Sequence, residues 1–275
     1  MQIGWIYING DLYHFAGDGK KDTFWIGSGS SKYYLGADGI ARKGWQIIDG
    51  EKYYFYPSNR KMAVAISIIS GKYYGFDSDG HLLKGWQDVA GNRYYFDEDG
   101  VAQIEWFDFN NDRYYFADNG VMLRFWQKID GDIYYFNENG VMQIGWKVLD
   151  GNTYYFNEEG KMQRYWQDID GARYYFNVEG ILQVGWQIIG GNTYYFDEKG
   201  VMQTSFVEIS GSNYYFDENG VMKIGWQVID EDTYYFDEKG VMIIGFAVID
   251  GEKYYFNEKG VMQICFTVVD GNTYY

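Results

Sequence analysis

Tyr-Tyr pairs begin at residues 33, 53, 73, 94, 114, 134, 154, 174, 194, 214, 234, 254 and 274, and a variant pair, Tyr13-His14, precedes them. The spacing is 20 residues throughout, apart from one step of 21 between Tyr73 and Tyr94. A short fixed period leaves few architectures open. It demands an array of one small supersecondary unit, each copy packed mainly on its neighbours. Written from Val141, one unit reads VMQIGWKVLDGNTYYFNEEG.

The unit predicts a β-hairpin. Residues 45–48 form a strand-like run, Asp49-Gly50 is a two-residue turn signal, and 52–55 return. Asp-Gly suits a type I′ turn, whose two central residues both need positive φ. A second turn follows, as in Asp197-Glu198-Lys199-Gly200, closed by a glycine able to adopt a left-handed conformation. Apolar residues show no 3.6-residue period, so helices are not expected. A lone hairpin is marginal in water, so stacking must stabilise it. The expected fold is all-β, a β-solenoid of about fourteen stacked 20-residue hairpins filling residues 1–275 as one array.

One stretch, 56–80, is expected to be irregular. Its second turn, Tyr56-Pro57-Ser58-Asn59, holds the sole proline of the chain. Ala65 stands where the Trp is expected, and Gly75 reads as an extra residue before Phe76, forming a bulge. That bulge would kink the array and open a pocket against Trp86.

Period-2 alternation sorts the hairpin into two faces. The residue three after each Trp is apolar, as in Ile48, Val89, Ile129 and Ile169, whereas two after it charge is tolerated, as in Asp88, Asp108, Lys128 and Asp168. The Trp therefore shares the tolerant, half-exposed face. The first Tyr and the Phe of the return strand point to the core, and the second Tyr lies on the Trp side. A two-residue turn places Trp45 opposite Tyr54. The same offset of nine recurs in Trp86/Tyr95, Trp106/Tyr115, Trp126/Tyr135, Trp146/Tyr155, Trp166/Tyr175 and Trp186/Tyr195. These twelve residues are the candidate ligand-binding set. Besides wedging hairpins together, such rings suit sugars, which present apolar C–H surfaces, and quaternary ammonium groups, attracted to π faces.

Composition removes other functions. Lys and Arg total 23 against 39 Asp and Glu, a formal charge of -16, which repels nucleic-acid backbones. One cysteine, Cys265, precludes an internal disulfide, and two histidines cannot build a His-rich metal site. Cys265 occupies the small-residue position before the aromatic. No apolar run is long enough to span a bilayer. The acidic pairs of the second turn, Asp97-Glu98 and Asp237-Glu238, are adjacent rather than opposed across a substrate, so they read as turn caps, not as catalytic carboxylates. No catalytic activity and no cofactor are expected.

The Gly-Trp…Asp-Gly…Tyr-Tyr-Phe…Gly-Val-Met unit resembles the bacterial cell-wall-binding repeat superfamily along the whole chain. That superfamily includes choline-binding modules, glucan-binding domains and the combined repetitive oligopeptides of large clostridial glucosylating toxins. Residues 45–55 look most similar to the toxins' short repeats. The resemblance implies a secreted or surface-exposed module that recognises cell-surface glycans or cell-wall polysaccharide. Choline-binding units typically place a second Trp just before the Tyr-Tyr pair, whereas this chain has Lys52, Arg93, Arg113, Ile133, Thr153, Arg173 and Thr193 there. The expectation is therefore a receptor-binding segment of a clostridial-type toxin, with a cell-wall anchor on teichoic acid or choline, or a structural spacer, as the alternatives. The chain starts and stops inside a unit, as expected of an excerpt from a larger protein.

Overall fold

The computed structural model describes residues 2–264, with backbone alone at Ser30, 267–269 and 272–274. Cys265 lies outside the described residues. The chain divides into two compact units, 1–143 and 144–275.

Every unit of sequence forms one antiparallel hairpin, and each hairpin is its own two-stranded sheet, fourteen among the described residues. A typical copy pairs Gly85–Val89 with Asn92–Phe96. The type I′ turns form as the Asp-Gly signal requires: Asp49 and Gly50 have φ of 53° and 89°. After the return strand the chain reverses through the second turn. There the Asp97 carboxylate accepts hydrogen bonds from the Asp99 and Val101 backbone N–H groups, at 2.9 and 2.8 Å. The first acidic residue of the pair is thus a turn cap.

Stacking comes from two sources. Within each compact unit the link after a hairpin straps back to the preceding one: Met122 N–H donates to the Arg93 carbonyl at 2.9 Å, and Leu182 N–H to that of Thr153 at 2.9 Å. The second source is a column of aromatic rings. Phe55, Phe76, Phe96, Phe116 and Phe136 in the first unit, and Phe156, Phe176, Phe196, Phe216, Phe236 and Phe256 in the second, are essentially fully buried. Around each lie the first Tyr of the pair and the apolar residue three after the Trp, as in the cluster Ile129, Tyr134 and Phe136. Each second-turn glycine is held for a steric reason as well. Gly180 has a φ of 80°, and a Cβ there would approach the Met162 sulfur at 2.6 Å.

The irregular stretch differs from expectation. Hairpin 65–76 keeps an unbroken register, Ala65↔Phe76, Ile66↔Gly75 and Ser67↔Tyr74. There is no bulge at Gly75. The extra residue lies in the second turn, where Phe55 pairs with Met62 across one more residue than separates Phe96 from Ala102. Consequently Ile66, not Ala65, takes the Trp position, and Tyr74 aligns with Tyr53. Gly75 fills the second-Tyr position because a Cβ there would lie 2.4 Å from the Phe96 ring. Arg60 takes the place of the turn glycine, with a φ of 61° and its side chain buried.

Candidate functional site

The Trp position is built by register. Each Trp lies directly across from the second Tyr of its hairpin: Trp86↔Tyr95, Trp106↔Tyr115, Trp126↔Tyr135, Trp146↔Tyr155, Trp166↔Tyr175 and Trp186↔Tyr195. Ring centroids in these pairs lie 4.9–5.3 Å apart, mostly edge to face. All six expected pairs are therefore adjacent. Such contacts are each worth about 0.5–1.5 kcal/mol beyond area burial.

A further wall comes from the following hairpin. Trp86 meets Tyr114 at 4.9 Å and Phe116 at 5.9 Å, and Trp186 meets Tyr214 at 4.9 Å and Phe216 at 5.8 Å. Trp106 with Tyr134, Trp146 with Tyr174 and Trp166 with Tyr194 repeat the arrangement at 4.9–5.0 Å. Each of these five Trp residues wedges two hairpins together. The sequence reading missed this wall because a first Tyr is a core residue within its own hairpin; only stacking turns it toward the preceding Trp.

A cation is also present on some Trp faces. Lys32 Nζ lies 4.6 Å from the Trp25 ring centroid and Lys52 Nζ 4.7 Å from that of Trp45. The guanidinium carbons of Arg93, Arg113 and Arg173 lie 5.3, 4.8 and 6.0 Å from Trp86, Trp106 and Trp166. These are cation–π distances, each contact worth about 0.5–1 kcal/mol at an exposed site. Pairing could have revealed them, since the residue before Tyr-Tyr lies diagonally beside the Trp on the same face.

Two clefts show the contrast. One, of about 300 Å³, is lined by Trp86, Arg93, Phe109, Asp112, Tyr114 and Arg124 among others. None of its lining comes from 56–80, so the expected link between the irregular turn and Trp86 is not observed. The other, of about 310 Å³, is lined by Trp186, Gln187, Ile188, Thr193, Tyr214, Met222 and Lys239. Here Thr193 stands where Arg93 stands in the first.

His14 pairs with Asp22 and His81 with Asp77. Among the described residues no group of His, Cys, Asp and Glu is placed to hold a metal ion. Among the described residues no helix is long and apolar enough to cross a membrane.

These features match known proteins. The choline-binding repeat model matches residues 83–125, 123–164, 183–224, 203–244 and 223–262, more than half of the chain. A cell wall binding repeat model matches 3–21 and 43–58. No curated protein sequence matches the chain. Among solved structures, CbpJ from Streptococcus pneumoniae TIGR4 superposes with a TM-score of 0.68 at 25% identity, covering 94% of this chain and 100% of that one. Choline binding protein F from Streptococcus pneumoniae gives 0.67 at 25% identity, covering 88% and 98%. The same protein in the presence of a peptidoglycan analogue, a tetrasaccharide-pentapeptide, gives 0.68 at 25% identity over the same shares. With a repeat model matched over most of its hairpins and the stacked-hairpin fold of these relatives, the chain belongs to the choline-binding repeat family, as a cell-wall-binding repeat module.

Proposed function

We propose that this chain is an anchoring module that holds a larger surface protein on the bacterial cell wall, engaging choline-bearing wall polymer through the clefts between successive hairpins. The observation that carries this reading is the Trp186 cleft, where Trp186 and Tyr214 line an open space with a small Thr193 beside them. Aromatic faces of this kind attract quaternary ammonium groups and stack on the C–H faces of sugars. The pairs Trp86/Tyr95, Trp106/Tyr115, Trp126/Tyr135, Trp146/Tyr155, Trp166/Tyr175 and Trp186/Tyr195 supply the walls of this repeated groove, and the Trp186 type binds. Individual clefts are weak, and several in a row give avidity to a polymer that presents its ligand repeatedly.

The test is co-sedimentation of the chain with purified wall preparations carrying or lacking choline, with free choline as competitor. Binding to choline-bearing walls that free choline releases is the expected result. Walls of both kinds left unbound would sink the reading.

A second reading is the receptor-binding segment of a secreted clostridial-type toxin, recognising host glycans. One observation favours it: no unit supplies the Trp before Tyr-Tyr that typical choline-binding units use. An array of host glycans separates the two, since signal there without wall binding selects the toxin reading.

A further inference from the structure

Resting on the cell-wall reading above, we propose that the Lys or Arg before the Tyr-Tyr pair is a built-in occupant of the Trp face. It closes the clefts at Trp25, Trp45, Trp86, Trp106 and Trp166 to an external cation, whereas those at Trp146, Trp186 and Trp226 stay open to a weakly hydrated cation such as a quaternary ammonium.

Three observations carry this. First, the cation is in place at all five closed positions, within 4.6–6.0 Å of the ring centroid. At the other three the corresponding residue is Thr153, Thr193 or Thr233, and among the described residues no Lys or Arg sits over the ring.

Second, the cross-strand neighbour changes with it. Arg93, Arg113 and Arg173 pair in register with Asp88, Asp108 and Asp168, and form ion pairs at 3.2, 3.3 and 2.8 Å. Those carboxylates share the Trp's strand two residues on, so they draw the guanidinium back along the indole. Thr153, Thr193 and Thr233 instead face Val148, Ile188 and Val228, an uncharged pair beside each ring; the Lys239 that also lines the Trp186 cleft does not lie over its indole. In these six hairpins the two positions switch together, Asp with Arg or aliphatic with Thr, whereas Lys52, over Trp45, faces Ile47.

Third, exposure follows. Trp25, Trp45, Trp86, Trp106 and Trp166 are half-buried, while Trp146, Trp186 and Trp226 are 37%, 41% and 38% exposed. In the second unit the open hairpins recur every second copy, at 145–156, 185–196 and 225–236, with the Arg173 hairpin and the Phe206 hairpin between them. A tethered cation competes at high effective concentration with any soluble ligand for the same π face. The number of working clefts is therefore set by the residue before Tyr-Tyr, not by the number of Trp residues.

The experiment titrates the full chain with choline chloride and reads stoichiometry by calorimetry. Arg93→Thr and Arg113→Thr are each expected to add about one site. Arg113→Lys should keep that cleft closed, and the pair Ile188→Asp with Thr193→Arg should remove about one site. An independent readout is the NMR shift of the Arg113 Hδ protons, expected upfield through the Trp106 ring current and lost in Trp106→Leu. Wild-type binding with a stoichiometry that none of these changes alters overturns the gate while leaving the anchoring function intact. New sites in the Thr variants of a chain that does not bind walls support the gate and sink the anchor. Choline bound by no variant, or Arg113 protons at random-coil positions, overturns the gate, and wall sedimentation of the same protein shows whether the anchoring reading falls with it.

Discussion

The clefts at Trp86 and Trp186 share a scaffold and differ at the rim. In both, a Trp opposes its own second Tyr and leans on a Tyr and a Phe from the next hairpin at nearly equal distances. Their volumes are about 300 and 310 Å³. Yet the first is lined by Arg93, which pairs across the strands with Asp88, and the second by Thr193 and Ile188. Packing is therefore a property of the repeat, whereas ligand access belongs to the individual copy. The buried Phe and first Tyr answer to two neighbours at once and are kept in both copies, although the Phe107 and Phe109 that meet Trp86 are Val207 and Ile209 in the later copy. The rim positions face water and change in charge as well.

The largest effect should come from breaking what the two clefts share. Phe116 and Phe216 are fully buried, and either Phe→Ala change should cost about 3–5 kcal/mol in urea unfolding. The comparison predicts equal losses at the two sites. A difference larger than about 1 kcal/mol would show that the scaffold is not common to both.

Hairpin 65–76 offers a third case, in which the aromatic pair is gone and Ile66 faces Gly75. Gly75→Ala would drive a Cβ into the buried Phe96 ring, 2.4 Å from its tip, and should cost about 1–3 kcal/mol by overpacking. Unchanged thermal stability would mean that Phe96 moves aside freely, and that this hairpin could have kept the Tyr of its neighbours.

Much of this was legible in the residues. The offset of nine from Trp to Tyr fixed the cross-strand pairs, and Asp49-Gly50 announced its turn through its demand for positive φ. The register at Tyr73 departs from the expected one for a physical reason. The extra residue sits in the turn 56–61, and Tyr73-Tyr74 happens to preserve the period of 20 by sliding one place out of alignment. Only the pairing of Ile66 with Gly75 exposes the slip. The Tyr114 and Tyr214 walls left no local trace at all, since they arise from stacking between hairpins. The capping cations were visible as residue types, but their place on the indole needed the diagonal geometry of the paired strands.

A smaller effect separates the two clefts by function. Trp186→Leu should weaken choline at that cleft by about tenfold or more, the equivalent of losing a desolvated cation–π contact of roughly 2 kcal/mol. Trp86→Leu should leave choline stoichiometry unchanged. Equal losses would erase the distinction between closed and open clefts.

The most delicate prediction concerns pH at a closed cleft. Arg173 donates from Nε and from a terminal nitrogen to the two Asp168 carboxylate oxygens, at 2.8 and 3.2 Å, and these bonds hold the Asp168 carboxyl below its ordinary value. A group whose folded pKa is depressed contributes stability that is fully present above the unfolded value, about 3.9, and is lost as pH falls through the folded one. Asp168 should thus stay ionised, and Arg173 anchored over Trp166, to a lower pH than an unpaired aspartate would allow. NMR titration of the Asp168 side chain should give a midpoint below about 3.9 that returns to it in Arg173→Thr. The Trp166 signals should follow the same midpoint, because protonation releases the cation from the ring. Trp186, whose rim pairs Ile188 with Thr193, has no carboxylate to lose there and should show no matching step. A shared step at both rings would mean that acid loosens the stack as a whole rather than the rim of one cleft.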